Sequence, residues 1–204
     1  MPNNPDAQST QPKPGLRERK KAKTRASIQH HALRLFAAHG YDGTTIEQII
    51  DAAEVSESTF FRYFPTKEDV VLQDDYDHVL VQAYRTQPPD RAPIPALRAA
   101  FREVFGGLPS DRRAEQRQRI ALIVAVPALR AAMLDQFSQA MQLLADAIAE
   151  RAGRQPDDFA VRTVAGAVIG AMIAVLAAMA DDPAADLAAL IDKAIAHLES
   201  GLSL

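Results

Sequence analysis

Residues 44–67 read TTIEQIIDAAEVSESTFFRYFPTK. Ile46, Ile49, Ile50 and Ala53 recur at i, i+3, i+4 and i+7, so this part predicts a helix of two to three turns with one buried stripe. Thr44 is expected as its N-cap, with Glu47 three residues on as the reciprocating partner. Ala53-Glu54-Val55 reads as a turn. Ser56 then caps a further short helix, which Pro65 ends. Four of the chain's twelve aromatics (Phe60, Phe61, Tyr63, Phe64) fall in that helix, with Arg62 among them. At about 100° per residue, Phe60 and Phe64 share the side of Ser56 and are expected to pack against Ile46, Ile49 and Ile50. Ser58 and Arg62 face the opposite way, flanked by Thr59 and Phe61. Short hydroxyls around one guanidinium suit the major groove, where Arg bonds guanine O6 and N7 together and each such pair discriminates by roughly 1–3 kcal/mol.

Two short helices joined by a tight turn, after a longer one, describe a helix-turn-helix unit. The longer helix is read over 17–39, with Ile28, Ala32, Leu35 and Phe36 inward and Gly40 as its stop. Its start is basic. Lys13, Arg17, Arg19, Lys20, Lys21, Lys23 and Arg25 are opposed only by Glu18, although the whole chain carries a net charge of -3. Such a run supplies salt-sensitive attraction to a polyanion. Residues 1–15 are polar and proline-rich, without an apolar stretch, and read as a disordered tail rather than a secretory signal.

Downstream, Thr66 and Asp69 form a second cap pair, opening a helix expected to run to about Arg85. Lys67 stands in its first turn, where free N–H groups favour a phosphate. Pro88, Pro89, Pro93 and Pro95 read as a linker. Further helices are expected near 96–106, 111–126, 128–151, 157–180 and 183–199, the last capped by Asp182 with Pro183 at its first position. The fold class is therefore all-α: an N-terminal three-helix helix-turn-helix domain over 16–66, and a larger helical domain over 67–204 for ligand binding and dimerisation.

With 204 residues and 48% hydrophobic content the chain can bury a sizeable core. It has no cysteine, which rules out disulfides and thiolate sites. His30, His31, His39, His78 and His197 show no metal spacing, and no nucleophile elbow or phosphate loop occurs, so neither an enzyme nor a metal or other cofactor is expected. Thr163–Ala180 carries no charge. Its alanine content and lack of an aromatic belt favour a buried helix over a membrane span. Gly166 and Gly170 would let a neighbouring helix approach closely.

Residues 17–72, and above all ALRLFAAHGYDGTTIEQIIDAAEVSESTFFRYFPTKEDVV, resemble the N-terminal domain of the tetracycline-repressor (TetR) family of transcription regulators. The resemblance implies a cytoplasmic homodimer that reads a double-stranded DNA operator and responds to a small-molecule effector. It implies phosphate contacts for Thr44 and Thr45, recognition-helix positions for Glu57, Ser58, Thr59, Phe61 and Arg62, and phosphate grips for Tyr63 and Lys67. Phe61 stands where Tyr is usual, Glu54 where Gly is common, and Glu47 where some relatives carry a basic group. Segments such as RIALIVAVPALRAAMLDQF resemble a subgroup whose C-terminal domain is described as acyl-CoA-like ligand binding. That implies a repressor released by a fatty acyl-CoA. Phe101, Phe105, Ile123, Val126, Met133, Phe137 and Met141 are the candidate pocket residues, and Arg112, Arg113, Arg117, Arg119 and Arg130 the candidate partners of its phosphates. The alternatives are a drug-responsive regulator of an efflux gene with the same fold, and a membrane-associated helical protein.

Overall fold

The computed structural model describes residues 15–74 and 76–202, with only the backbone at Glu18. Apart from Gly15, the expected tail lies outside the described residues. Among these, the chain forms ten helices and no strand: α1 (Leu16–His39), α2 (Ile46–Ala53), α3 (Glu57–Tyr63), α4 (Lys67–Leu72), α5 (Tyr76–Arg85), α6 (Pro93–Gly106), α7 (Ser110–Ala125), α8 (Pro127–Ala152), α9 (Phe159–Asp181) and α10 (Leu187–Glu199). The fold is all-α. It divides into two compact units, one ending at Tyr63 and the other beginning at Phe64.

In the first unit, Ile28, Ala32, Leu33, Phe36, Tyr41, Ile49 and Phe60 are buried. Of the expected stripe on α2, only Ile49 is fully buried, while Ile46, Ile50 and Ala53 are partly covered. The link from α1 to α2 needs two glycines. Gly40 follows α1 at φ 76°, and a Cβ on Gly43 would stand 2.3 Å from the His39 carbonyl oxygen.

The α2 cap lies one residue later than the sequence predicts. Thr45, not Thr44, accepts from the Gln48 N–H at 3.3 Å, and the Gln48 side chain accepts from the Thr45 N–H at 2.9 Å. Both threonines are good caps with a partner three residues on. Burial separates them: Thr44 is 1% exposed and donates its hydroxyl to the Gly40 carbonyl at 2.8 Å. At the other end Glu54 is left-handed (φ 53°, ψ 43°), and Val55 N–H closes back onto the Ile50 carbonyl at 3.2 Å.

The helix expected from Thr66 to Arg85 is two helices. Thr66 and Asp69 form the reciprocal cap of α4 as expected, but α4 stops at Leu72. Asp74 then accepts from the Tyr76 N–H at 3.0 Å and restarts the chain as α5. Pro93 and Pro95 belong to the first turn of α6 rather than to a linker. The last helix begins at Leu187, capped by Asp186, whose carboxylate accepts from Ala188 and Ala189. Asp182 instead closes α9 and caps the intervening turn through Ala184.

The second unit has its own core, drawn from α5 to α10 and including Tyr84, Leu97, Phe101, Ile148, Val168, Met179 and Ile195. By length and composition α9 is long and apolar enough to cross a membrane. It packs here on α7, α8 and α10. Two arginine clasps tie distant helices. Arg151 on α8 donates to the carbonyls of Tyr84 (2.8 Å), Gln87 (3.0 Å), Pro88 (2.6 Å) and Arg91 (3.2 Å), and lies over the Tyr84 ring. It satisfies the open end of α5 and a proline-rich loop that is short of donors. Arg98 and Arg102 on α6 both fork onto Asp192 of α10, with Nε to carboxylate distances of 2.8 and 2.5 Å. The Arg98 guanidinium, then Arg102, holds the Asp192 carboxyl far below the usual carboxylate range.

Two outcomes follow. Glu54→Gly relieves a left-handed non-glycine residue, at some cost in unfolded-chain entropy, and is expected to stabilise the first unit by up to about 1 kcal/mol in urea denaturation. A loss of stability would contradict the strained turn. Because the folded pKa of Asp192 is depressed, its contribution is present above about pH 4 and is lost as pH falls through and below that value. Asp192→Asn should therefore flatten the acid limb of the stability profile relative to the unmodified protein. Parallel acid limbs would show that the clasp does not stabilise.

Candidate nucleic-acid interface and ligand cavity

The first unit presents α3 as its polar face. Glu57, Ser58, Phe61 and Arg62 are exposed, and Thr59 and Tyr63 are partly so. Phe60 is fully buried and anchors the helix. Phe61 meets the Phe60 ring edge-on at 5.4 Å between centroids, yet stays 42% exposed. Ser56 accepts from the Thr59 N–H at 3.2 Å, and its hydroxyl also bonds the hydroxyls of Ser58 (3.1 Å) and Thr59 (2.9 Å). The cap thus orients both hydroxyls of the expected reading face. Arg62 extends past the Tyr63 ring, 5.5 Å from its centroid.

Beside this face lies a hollow of about 470 Å³ lined by Arg17, Lys20, Lys21, Thr24, Arg62 and Tyr63. The start of α1 and the end of α3 thus share one cationic surface. Sequence reading gave the basic run a general electrostatic role. Helical spacing puts Arg17, Lys20, Lys21 and Thr24 on one side of α1, where they continue the face of α3. Thr45 is exposed and Thr44 is not, so of the two threonines expected to touch phosphate only Thr45 offers its side chain. The Glu47 carboxyl is held below its ordinary range by its own backbone N–H and by the Thr45 hydroxyl. Lys67 opens α4, in the second unit.

The second unit holds a partly open cavity of about 200 Å³. Phe101, Phe105, Ile123, Met133 and Phe137 line it. Val126 and Met141, the other two expected pocket residues, do not. Val126 forms the joint between α7 and α8, and Met141 is 37% exposed, its sulfur 3.9 Å from where a Cβ on Gly166 would stand. Helices α5, α9 and α10 contribute Leu80, Val168, Met172, Leu176 and Ile191, which sequence reading missed. Their apolar spacing is that of any core helix, and only the packing leaves space beside them. The polar lining is Asp74, Tyr76, Asp77, Gln116, Arg119 and Gln136. Burial, then the Asp74 carboxylate, pushes the Tyr76 phenol up, so it stays protonated.

A second hollow of about 290 Å³ shares Phe105, Gln116 and Leu187 with this cavity and adds Ser110, Arg113, Arg117 and Asp186. The five expected arginines therefore separate. Arg113 and Arg117 line the outer hollow and Arg119 the inner cavity. Arg112 pairs with Glu115 at 3.2 Å, and Arg130 donates to the Val124 carbonyl.

Residues 28–73 match the family described as bacterial regulatory proteins, tetR family, and residues 91–203 match the MftR C-terminal domain. The HTH-type transcriptional regulator TcmR of Streptomyces glaucescens is 37% identical over 161 residues, covering 76% of this chain and 71% of that protein. MftR of Mycobacterium tuberculosis, named as a mycofactocin biosynthesis transcriptional regulator, is 26% identical over 191 residues, covering 91% of this chain and 96% of its own. Among solved structures, Thermus thermophilus FadR, a TetR family transcriptional repressor in complex with lauroyl-CoA, matches with a TM-score of 0.51 and 27% identity, covering 88% of this chain and 95% of that one.

The two parts of the cationic face make separable predictions. Lys20→Ala with Lys21→Ala should weaken binding to all DNA sequences alike and flatten the dependence of log K on log salt by about 0.9 for each phosphate that is no longer neutralised. Arg62→Ala should relax preference at one base position by roughly tenfold or more. Binding isotherms on a set of single-base operator variants check both, and the same pattern of weakening for the two proteins would refute the division.

Proposed function

The chain belongs to the tetR family of bacterial regulatory proteins, and we propose that this transcriptional regulator is a repressor released from its operator by a fatty acyl-CoA. The DNA contacts are assigned to Thr45, Glu57, Ser58, Thr59, Phe61, Arg62 and Tyr63, with the cations of the α1 hollow beside them and Lys67 at the start of α4. Thr44 is assigned to holding the α1–α2 link. The 16–66 segment is the DNA-binding domain on this reading, and the remainder binds ligand and dimerises. Two copies would pair through α9 and α10, which supports reading two half-sites about one helical turn apart. Phe159 (85% exposed) and Ile173 (46%) lie on the face of α9 that such pairing would cover.

The observation that carries the ligand class is that the two hollows in the second unit are neighbours, with Phe105, Gln116 and Leu187 in the walls of both. A fatty acyl-CoA needs an apolar slot for the chain beside cations for the phosphates. The inner cavity supplies the first, and Arg113 and Arg117 the second. Asp186, the anion among them, is already held by two backbone N–H groups. The likeness to a FadR crystallised with lauroyl-CoA supports the same class. At about 200 Å³ the cavity is smaller than the roughly 300–1,000 Å³ usual for ligand sites, so an acyl chain must widen it. Leu72 of α4 is part of the lining, so widening bears on α4, which packs on α7 and α8. Release requires that the ligand favour the widened state by as much as it shifts the DNA equilibrium.

Lauroyl-CoA titrated into the protein–operator complex is expected to lower fluorescence anisotropy to that of free DNA at micromolar ligand. Arg113→Ala with Arg117→Ala should raise the concentration needed by about tenfold or more. Unchanged anisotropy throughout would contradict the acyl-CoA assignment.

A further inference from the structure

Arg119 is the one cation in the lining of the inner cavity, among the described residues. Its side chain is 7% exposed. It sits one turn beyond Gln116, which borders both hollows, and just before Ile120 and Ile123 of the apolar wall. A guanidinium this deep is costly unless forked onto a well-placed anion. Its partner is Asp74, and the contact is loose: Nη1 to carboxylate is 3.4 Å, against about 2.7–2.9 Å for a charge-assisted hydrogen bond. Asp74 is also committed to the Tyr76 N–H at 3.0 Å. On the opposite edge, Arg119 Nε is buried without a hydrogen bond.

Resting on the reading of this cavity as the ligand site, we propose that it binds the free carboxylate of an apolar acid, gripped by the buried, unpaired Nε edge of Arg119 once the cavity widens. A carboxylate brings the charge and the paired acceptors that this edge lacks. A thioester or ester carbonyl offers one neutral acceptor and leaves the guanidinium undercompensated. The body of the acid lies against Phe101, Phe105, Ile120 and Ile123. Asp77 borders the same lining and burial pushes its carboxyl up, but Asp74 is the carboxylate that reaches Arg119 and so the acid that competes for it. The bound carboxylate draws Arg119 from Asp74 and so acts on the joint where α4 ends and α5 begins.

Calorimetric titration of the full chain with octanoate, methyl octanoate and octanoyl-CoA tests this. Octanoate is expected to bind at least about tenfold more tightly than methyl octanoate. Arg119→Gln should abolish that preference, and Arg119→Lys, which keeps the charge but not the fork, should restore part of it. Asp74→Asn removes the competitor, so octanoate should bind it at least as tightly as the unmodified protein. It also keeps the test decisive should Arg119→Gln fail to fold. Equal binding of acid and ester, an unchanged preference in Arg119→Gln, or weaker octanoate binding by Asp74→Asn would each overturn the proposal. Tight octanoyl-CoA binding that ignores Arg119, with octanoate no better than its ester, would overturn it and leave acyl-CoA release standing. Octanoate binding through Arg119, with no release of DNA by lauroyl-CoA, would uphold it and refute that assignment.

Discussion

The closure of α2 at both ends is the constraint on which the DNA-facing unit depends. A helix of eight residues is too short to persist alone in water. Thr45 and Gln48 satisfy its first N–H groups, and the left-handed Glu54 turns its last carbonyls back on themselves. The turn sets the direction in which α3 leaves, and the burial of Phe60 beneath it fixes which side of α3 faces solvent. Ser58, Thr59 and Arg62 face outward as a consequence of that packing. Ser56 adds order by bonding both neighbouring hydroxyls. The exposed polar face of α3 is thus a by-product of two caps and one aromatic anchor.

The second unit makes a comparable point with its arginines. Arg151 is surrounded by four carbonyls and an aromatic ring, so its Nη groups are fully used, although its Nε has no partner. Arg98 is forked onto Asp192 and also reaches Glu199 at 2.7 Å. Both hold helices together. Arg119 is more deeply placed than either and has one stretched ion pair. A buried cation that contributes so little to its own surroundings is better explained by a charge that arrives than by the packing of the unit itself. Its neighbours decide which charge: apolar rings on one side and a helix joint on the other.

Most of the architecture was legible in the sequence because the punctuation is strong. Gly40, Pro65, Pro109, Pro127 and Gly153 each mark a true break, and the Thr66–Asp69 cap stands where its spacing put it. The errors came where two local signals were equivalent or a break lacked Gly and Pro. Thr44 and Thr45 both head a capping pattern, and only the burial of Thr44 chose between them. Among the described residues the α4–α5 break is marked by Asp74, a cap inside a stretch that otherwise reads helical. Asp182-Pro183 looked like a helix start but lost to Asp186, whose carboxylate takes two N–H groups. The cavity was half legible. Phe101, Phe105, Ile123, Met133 and Phe137 were named, but Leu80, Ile120, Met172 and Ile191 have ordinary core spacing, and nothing local distinguishes Arg119 from the four arginines read with it.

The central claim is that α3 reads sequence, not merely charge. Fluorescence anisotropy of the full chain on labelled DNA from immediately upstream of its own gene tests this most directly, with matched and scrambled competitors at two salt concentrations. Retained preference for the upstream sequence at both concentrations is the expected result, because base contacts by Ser58, Thr59 and Arg62 outlast the screening of the α1 cations. Equal displacement by both competitors, with affinity set by salt alone, would contradict it and reduce the first unit to a general polyanion-binding surface.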